Sequence, residues 1–174
     1  MTAPQPGIFA SIDTFLMSWE EERKNNVTLF EAIPDRLWHE ELIPGYRSLA
    51  RLAWHIILTP SEALARTGLK IESPSEHDPV PSDPQEIIRD YEMVAKSVAE
   101  QVKKNWNDET LQQSDDMYGQ TWTRSASLTM LIHHMIHHRG QMTALLRLGN
   151  AKVPGLYGPA LEEWAQFGMT APEV

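Results

Sequence analysis

Ser125-Ala126-Ser127-Leu128-Thr129-Met130-Leu131-Ile132-His133-His134-Met135-Ile136-His137-His138-Arg139-Gly140-Gln141-Met142-Thr143-Ala144-Leu145-Leu146-Arg147-Leu148 runs without a proline and ends at Gly149-Asn150. Its apolar residues recur at helical spacing, and Gly-Asn is a helix stop, so the segment reads as one long helix. Four of the chain's seven histidines fall within six residues of it. His133/His137 and His134/His138 are both i,i+4 pairs. Residues four apart share a helix face, so either pair could grip one ion with two imidazoles.

A helical wheel separates the two pairs. With His134 at zero and steps of about 100°, His138 lies at about 40°, Leu145 at about 20°, Leu131 at about 60° and Met142 at about 80°. His137 falls at about −60° and His133 at about −100°, at the flank of the apolar arc. His134 and His138 are therefore expected to point into the protein, and the other two toward its edge. Buried imidazoles need hydrogen-bond partners or a metal, so two on one apolar face favour a metal over a pair of satisfied core histidines. Gln141, at about −20°, sits one turn beyond His138 and could orient it from behind. Ser127, at about 20°, either lines a pocket or allows close helix packing. Arg139, at about 140°, suits a structural salt bridge or a dimer contact better than a substrate.

Outward from this helix the pattern stays helical. Ile8, Ile12, Phe15, Leu16, Trp19 and Phe30 suggest a first helix over residues 8–32, ended by Ile33-Pro34-Asp35. A second starts near Arg47 or Ser48 and carries Leu49, Leu52, Ala53 and Ile56, with a kink or break expected at Pro60. Residues 68–82 hold three prolines and read as a long loop. Asp83, Pro84 and Glu86 form a helix start, and Ile87, Tyr91, Val94, Val98 and Val102 follow to about Trp106. The polar stretch with Asp115, Asp116 and Gly119 reads as a connection, and no segment carries a strand signal. A short tail helix over 159–167 is expected to pack Leu161 and Trp164 on the bundle. Four long amphipathic segments make an all-α four-helix bundle with long crossover loops and a short C-terminal helix. Residues 1–7 read as a disordered N-terminus and 8–174 as a single domain.

His55, in Leu52-Ala53-Trp54-His55-Ile56-Ile57, is the best third ligand, at the margin of the second helix's apolar stripe. A lone histidine there can equally be structural. His39 and His77 lie in connections without ligand spacing and read as solvated. Glu62, seven residues after His55, lies on the same face about 10 Å further along. It is a candidate base, or else a solvated or capping carboxylate. Glu62 and Gln141 are the catalytic candidates.

Composition bounds the alternatives. The 174 residues suit one domain. With 15 Lys+Arg against 24 Asp+Glu the net charge is -9, which disfavours phosphate backbones and anionic membranes. There is no cysteine, so disulfides, thiolate metal sites and a cysteine nucleophile are excluded. No apolar run is long enough to span a bilayer, and Met1-Thr2-Ala3-Pro4-Gln5-Pro6-Gly7 lacks the signature of a secretory signal, so a cytoplasmic protein is expected. Phosphate-cradling glycine motifs and Gly-x-Ser-x-Gly are absent.

His134-x-x-x-His138-Arg139-Gly140-Gln141 with Leu145-Leu146-Arg147-x-Gly149 resembles the fourth-helix signature of the DinB/YfiT-like family. Ser48-Leu49-x-x-Leu52-x-x-His55 resembles its second-helix motif, and Pro154-Gly155-Leu156-Tyr157-Gly158-Pro159 its C-terminal stretch. The helix order matches over residues 8–167. The resemblance implies a DinB-type bundle, often a homodimer, with nickel or zinc held by His55, His134 and His138 and water in the open positions. Characterised members include bacillithiol S-transferases and mycothiol-dependent maleylpyruvate isomerases.

The leading expectation is a divalent-metal-dependent S-transferase joining a low-molecular-weight thiol to an electrophilic small molecule. Metal coordination lowers a thiol's pKa, and a chain without cysteine must take its sulfur from outside. The alternatives are a hydrolase using metal-activated water, with Glu62, Asp115 or Asp116 as proton shuttle, and a non-catalytic metal or small-ligand binder acting as a stress protein. Imidazoles suit zinc, nickel, copper and iron alike.

Overall fold

A computed structural model describes residues 4–173. Four helices make up the bundle: α1 (Ile12–Glu31), α2 (Leu49–Ala65), α3 (Pro84–Asn105) and α4 (Arg124–Leu148). Each starts at a residue whose side chain accepts a hydrogen bond from an otherwise free backbone N–H: Ser11, Ser48, Asp83 and Thr123. α1 and α2 each pack against both α3 and α4. The first and second helices thus stand on one diagonal and the third and fourth on the other, so the α1–α2 and α3–α4 connections cross the bundle, as long crossover loops require. Among the described residues, no helix is long and apolar enough to cross a membrane.

The expected apolar stripes form the core. Leu49, Leu52, Ala53 and Ile56 of α2 are buried, as are Ile87, Tyr91, Val94, Val98 and Val102 of α3. Phe30 stacks edge-on against Trp38 and Tyr91, with ring centroids 6.0 and 5.3 Å away. Trp19, buried on α1, donates its indole N–H to the Ala95 carbonyl at 2.9 Å.

Several expectations need correction. Pro60 does not break α2, which continues to Ala65. Around the missing N–H, Thr59 donates its hydroxyl to the His55 carbonyl (2.7 Å) and Ser61 donates to that of Leu58 (2.9 Å). The supposed polar connection before α4 contains an antiparallel hairpin, β1 (Ser114–Met117) and β2 (Gln120–Thr123). Its turn residues Tyr118 and Gly119 have φ of 59° and 78°, the left-handed pair that a two-residue hairpin turn of the right twist demands. Asp116 accepts from the Gly119 N–H at 2.9 Å, and Met117 is fully buried beneath the turn. Residues 1–3 of the expected disordered N-terminus lie outside the described residues. Gln5, however, bonds β2 on both sides, donating to the Thr121 carbonyl (3.0 Å) and accepting from the Thr123 N–H (3.1 Å). Gly7 then passes so close to α4 that a Cβ would lie 2.1 Å from the Ser125 carbonyl carbon. α1 starts at Ile12 instead of residue 8, and Ile8 is exposed. The tail forms only a one-turn 3-10 helix, Trp164–Phe167, with none of its residues buried. Leu161 is 58% exposed, so it does not pack on the bundle.

Arg139 is 1% exposed and faces α1, where it pairs with the Glu22 carboxylate. It also donates to the Asn26 side-chain carbonyl at 2.8 Å. The Tyr157 hydroxyl, arriving from the tail, reaches the same Glu22 oxygen at 2.6 Å. This is the salt bridge the sequence suggested for Arg139. Removing one partner of a buried pair strands the other charge, so Glu22→Gln is expected to lower the unfolding free energy by about 3–5 kcal/mol. The double replacement Glu22→Gln with Arg139→Met should recover part of that loss, both being read from urea unfolding curves.

Candidate metal centre

The α2–α4 contact brings three imidazoles together. His134 and His138 stand one turn apart on α4, and His55 faces them from α2. The Nε2 atoms of His55 and His134 are 3.1 Å apart, and those of His134 and His138 are also 3.1 Å apart. The potential ligand atoms of the three residues all lie within 4.8 Å of one another. The rings meet edge to face, with centroids 4.3 to 4.8 Å apart. His138 is buried and the other two are half-buried. His133 and His137 are exposed, as the wheel required, and so are His39 and His77.

The donor set fits a cation. Gln141 Oε1 lies 2.7 Å from His138 Nδ1 and accepts its proton, which leaves a lone pair on His138 Nε2. A proton on His134 Nε2 cannot lie along both of its 3.1 Å contacts at once. If His134 Nε2 is unprotonated, its lone pair faces that of His138. A metal ion on the three lone pairs removes the conflict. Bonds of about 2.0–2.1 Å give nitrogen–nitrogen edges of about 2.9 Å for right-angle and about 3.3 Å for tetrahedral geometry. The two 3.1 Å separations lie within that span. The cluster contains no fourth histidine or carboxylate among the described residues, so coordination positions stay open to small molecules.

The imidazoles are held neutral, the form a metal needs. Burial pushes His55 and His134 down to about 4, helped by the neighbouring histidines and by Arg47. Burial also lowers His138, against the raising effect of its bond to Gln141. Three clefts converge on the histidines. One of about 660 Å³ carries His138, Gln141 and Arg47 among Leu52, Leu145 and Leu148. A second of about 390 Å³ is bounded by His134, Trp122 and the N-terminal strap. The third, about 480 Å³, contains His55, Arg51 and Glu62.

The remaining candidates fall into place around this geometry. Gln141 does orient His138, and its amide also contacts exposed His137 at 3.1 Å. Glu62 shares the His55 cleft, but one carboxylate oxygen accepts from Arg66 (2.8 Å) and the other from the Tyr118 hydroxyl (2.6 Å). Asp115 is paired with Arg124 at 3.0 Å and Asp116 serves the hairpin turn. Ser127 is fully buried, its hydroxyl turned back toward the Thr123 carbonyl at 3.5 Å, so it is a packing residue. Sequence reasoning missed Arg47 and Arg51. Arg51 could have been found, since it lies four residues before His55 on the same face, whereas Arg47 precedes the helix and is placed by a turn at Gly45.

One divalent ion per chain is expected by elemental analysis. His55→Ala, His134→Ala and His138→Ala should each abolish tight binding, while His133→Ala and His137→Ala retain it. Gln141→Ala should weaken affinity about 10–100-fold, the usual cost of losing a group that orients a ligand histidine. Proton linkage gives a separate test. In chelated protein, His55 and His134 titrate at about 4 when folded against about 6.5 when unfolded. The unfolded chain therefore binds more protons between those values. Stability is full above the upper one and falls as the pH drops toward the lower. His134→Ala should flatten that fall in urea midpoints measured from about pH 7 to about pH 4.5.

Comparison with known proteins places the chain in a family. The family model described as "DinB family" matches residues 8–173. YrdA of Bacillus subtilis (strain 168), itself uncharacterised, is 37% identical over 167 residues, covering 96% of this chain and 100% of YrdA. The crystal structure of a DinB-like protein from Bacillus cereus ATCC 10987 superposes with a TM-score of 0.81 at 35% identity, covering 86% of this chain and 100% of that one. A second DinB-like structure, YjoA of Bacillus subtilis, shares the fold at a TM-score of 0.64 and 16% identity, covering 84% of this chain and 99% of that one. A family-model match over residues 8–173, joined to a relative 37% identical over 96% of the chain, means that this chain belongs to the DinB family.

Proposed function

We propose that the chain is a divalent-metal-dependent S-transferase, joining an external low-molecular-weight thiol to an electrophilic small molecule. His55, His134 and His138 would hold the cation, zinc or nickel being the expected metals. A cation there would lower the pKa of an incoming thiol and make it a nucleophile at neutral pH. Gln141 keeps the proton of His138 on Nδ1 and so keeps its Nε2 lone pair aimed at the centre. Leu52, Leu145 and Leu148 line the apolar cleft beside His138, where an acceptor's carbon body can lie out of water.

The observation that carries this reading is the commitment of nearby carboxylates. Hydrolysis needs a proton shuttle for its water. Both oxygens of Glu62 are engaged, Asp115 is ion-paired, Glu76 at the rim of the His55 cleft is exposed and lies 3.5 Å from His77, and no carboxylate joins the histidine cluster among the described residues. A thiol whose pKa a bound cation lowered would release its proton to solvent at neutral pH and attack as thiolate without such a base. The chain contains no cysteine, so the sulfur must be external.

The test is conjugation of monochlorobimane by metal-loaded protein with bacillithiol, mycothiol, glutathione or coenzyme A. At least one thiol should give conjugate above the uncatalysed rate, and His134→Ala should reduce it to background. No conjugation with any of the four ends the reading. Ester or amide hydrolysis without thiol would then assign the site to water chemistry, and silence in both assays to binding alone.

A further inference from the structure

The chain carries nine arginines, and seven are committed. Arg23, Arg66, Arg89, Arg124, Arg139 and Arg147 pair with carboxylates, and Arg36 donates to the Gly149 carbonyl. Arg47 and Arg51 make no side-chain hydrogen bond or ion pair with any described residue. In a chain with 24 acidic groups against 15 basic ones, free guanidinium groups are a departure. Both border clefts that open on the histidines.

The two clefts differ in charge. Arg51 shares its cleft with Glu62 and Glu76, which offset it. The cleft of Arg47 contains no carboxylate among the described residues. Apart from His138 and Gln141 its other walls are largely apolar, and three of the chain's exposed large hydrophobic side chains, Ile43, Tyr46 and Leu148, stand around it. Exposed apolar groups gathered about one unpaired cation mark a ligand surface. Backbone geometry holds the cation there. Gly45 adopts φ of 77°, the Tyr46 N–H closes a turn on the Ile43 carbonyl at 2.9 Å, and Ser48 caps α2 immediately after Arg47. The Arg47 charge also acts on all three imidazoles, which puts it within electrostatic reach of the whole centre.

We infer that the cleft between the start of α2 and the end of α4 selects a carboxylate-bearing molecule with an apolar body, the carboxylate pairing with Arg47 while the body lies against Leu52, Leu145 and Leu148. The guanidinium fork matches a carboxylate with two parallel hydrogen bonds, which a neutral amide cannot reproduce. That this molecule is the acceptor electrophile rests on the transferase reading; recognition of its carboxylate by Arg47 does not need that reading.

Calorimetric titration with octanoate, using octanamide and octylamine as controls of the same body, tests it on zinc-loaded protein and on the His134→Ala variant. Octanoate should bind about ten-fold or more tighter than octanamide, the factor expected for a charged hydrogen-bond pair. Arg47→Gln should erase that preference and Arg51→Gln should leave it within about two-fold. Arg47→Lys, which keeps the charge without the fork, should retain only part of it. Equal affinity for octanoate and octanamide, no binding of octanoate, or a preference that survives Arg47→Gln overturns the inference. A preference that survives Arg47→Gln but disappears in His134→Ala assigns the carboxylate to the metal instead, leaving the metal centre intact. A preference held in the His134→Ala variant and lost with Arg47→Gln upholds the inference even where no thiol is conjugated.

Discussion

Arg139 and His138 are neighbours on α4, and they face different partners. A step of about 100° per residue turns the arginine toward α1 and the histidine toward α2. The guanidinium is buried against Glu22 and Asn26, so α4 cannot rotate or slide without stranding a charge on each side of the α1–α4 contact. The same rigidity fixes His134 and His138 opposite His55. A charge pair that is no part of the centre thus sets the azimuth of the helix that carries two of its three histidines. Tyr157 extends the constraint to the tail, because its hydroxyl shares the Glu22 carboxylate.

The other end of α4 is held by quite different means. The hairpin packs against its first turns, and the N-terminal strap runs alongside. Ser125 donates its hydroxyl to the Phe9 carbonyl (2.7 Å) and accepts from the Phe9 N–H (3.1 Å), while Thr129 accepts from the Ile8 N–H (3.0 Å). Because the strap lies close to α4, Gly7 has no room for a side chain. Between these two anchors the histidines occupy the middle of a long helix, where fraying is smallest and ligand geometry is best defined.

The electrostatics of the centre oppose those of the whole protein. The chain carries a net charge of -9, yet Arg47 and Arg51 border clefts on the histidines, while Glu62 is paired with Arg66 and Asp115 with Arg124. Burial and the Arg47 charge keep the imidazoles neutral, which suits metal binding and disfavours a protonated, self-repelling cluster. An acidic surface with a locally positive cleft concentrates anions at that cleft.

The amino-acid order by itself determined the four helices, the Asp83 cap of the third, their buried stripes and the inward pair His134/His138, because each depends on a local period or a residue within four positions. It also pointed to His55, through its place on an apolar stripe. What it did not determine has long sequence separations behind it. The hairpin at 114–123 has Ser-Asp-Asp where a strand would ordinarily carry β-branched residues; burial of Met117 and the bonds from Gln5 stabilise it, and both are tertiary. Leu161 reads as a core residue, but the tail turns where the Gly155 and Ala160 N–H groups donate to the Glu163 carboxylate, which leaves it in water. The freedom of Arg47 is equally invisible in sequence, since an ion pair exists only where folding brings the opposite charge within reach. Convergence of the three imidazoles was decided by the packing of α2 on α4: a helix period says which side a residue faces, and only tertiary packing says what it meets there.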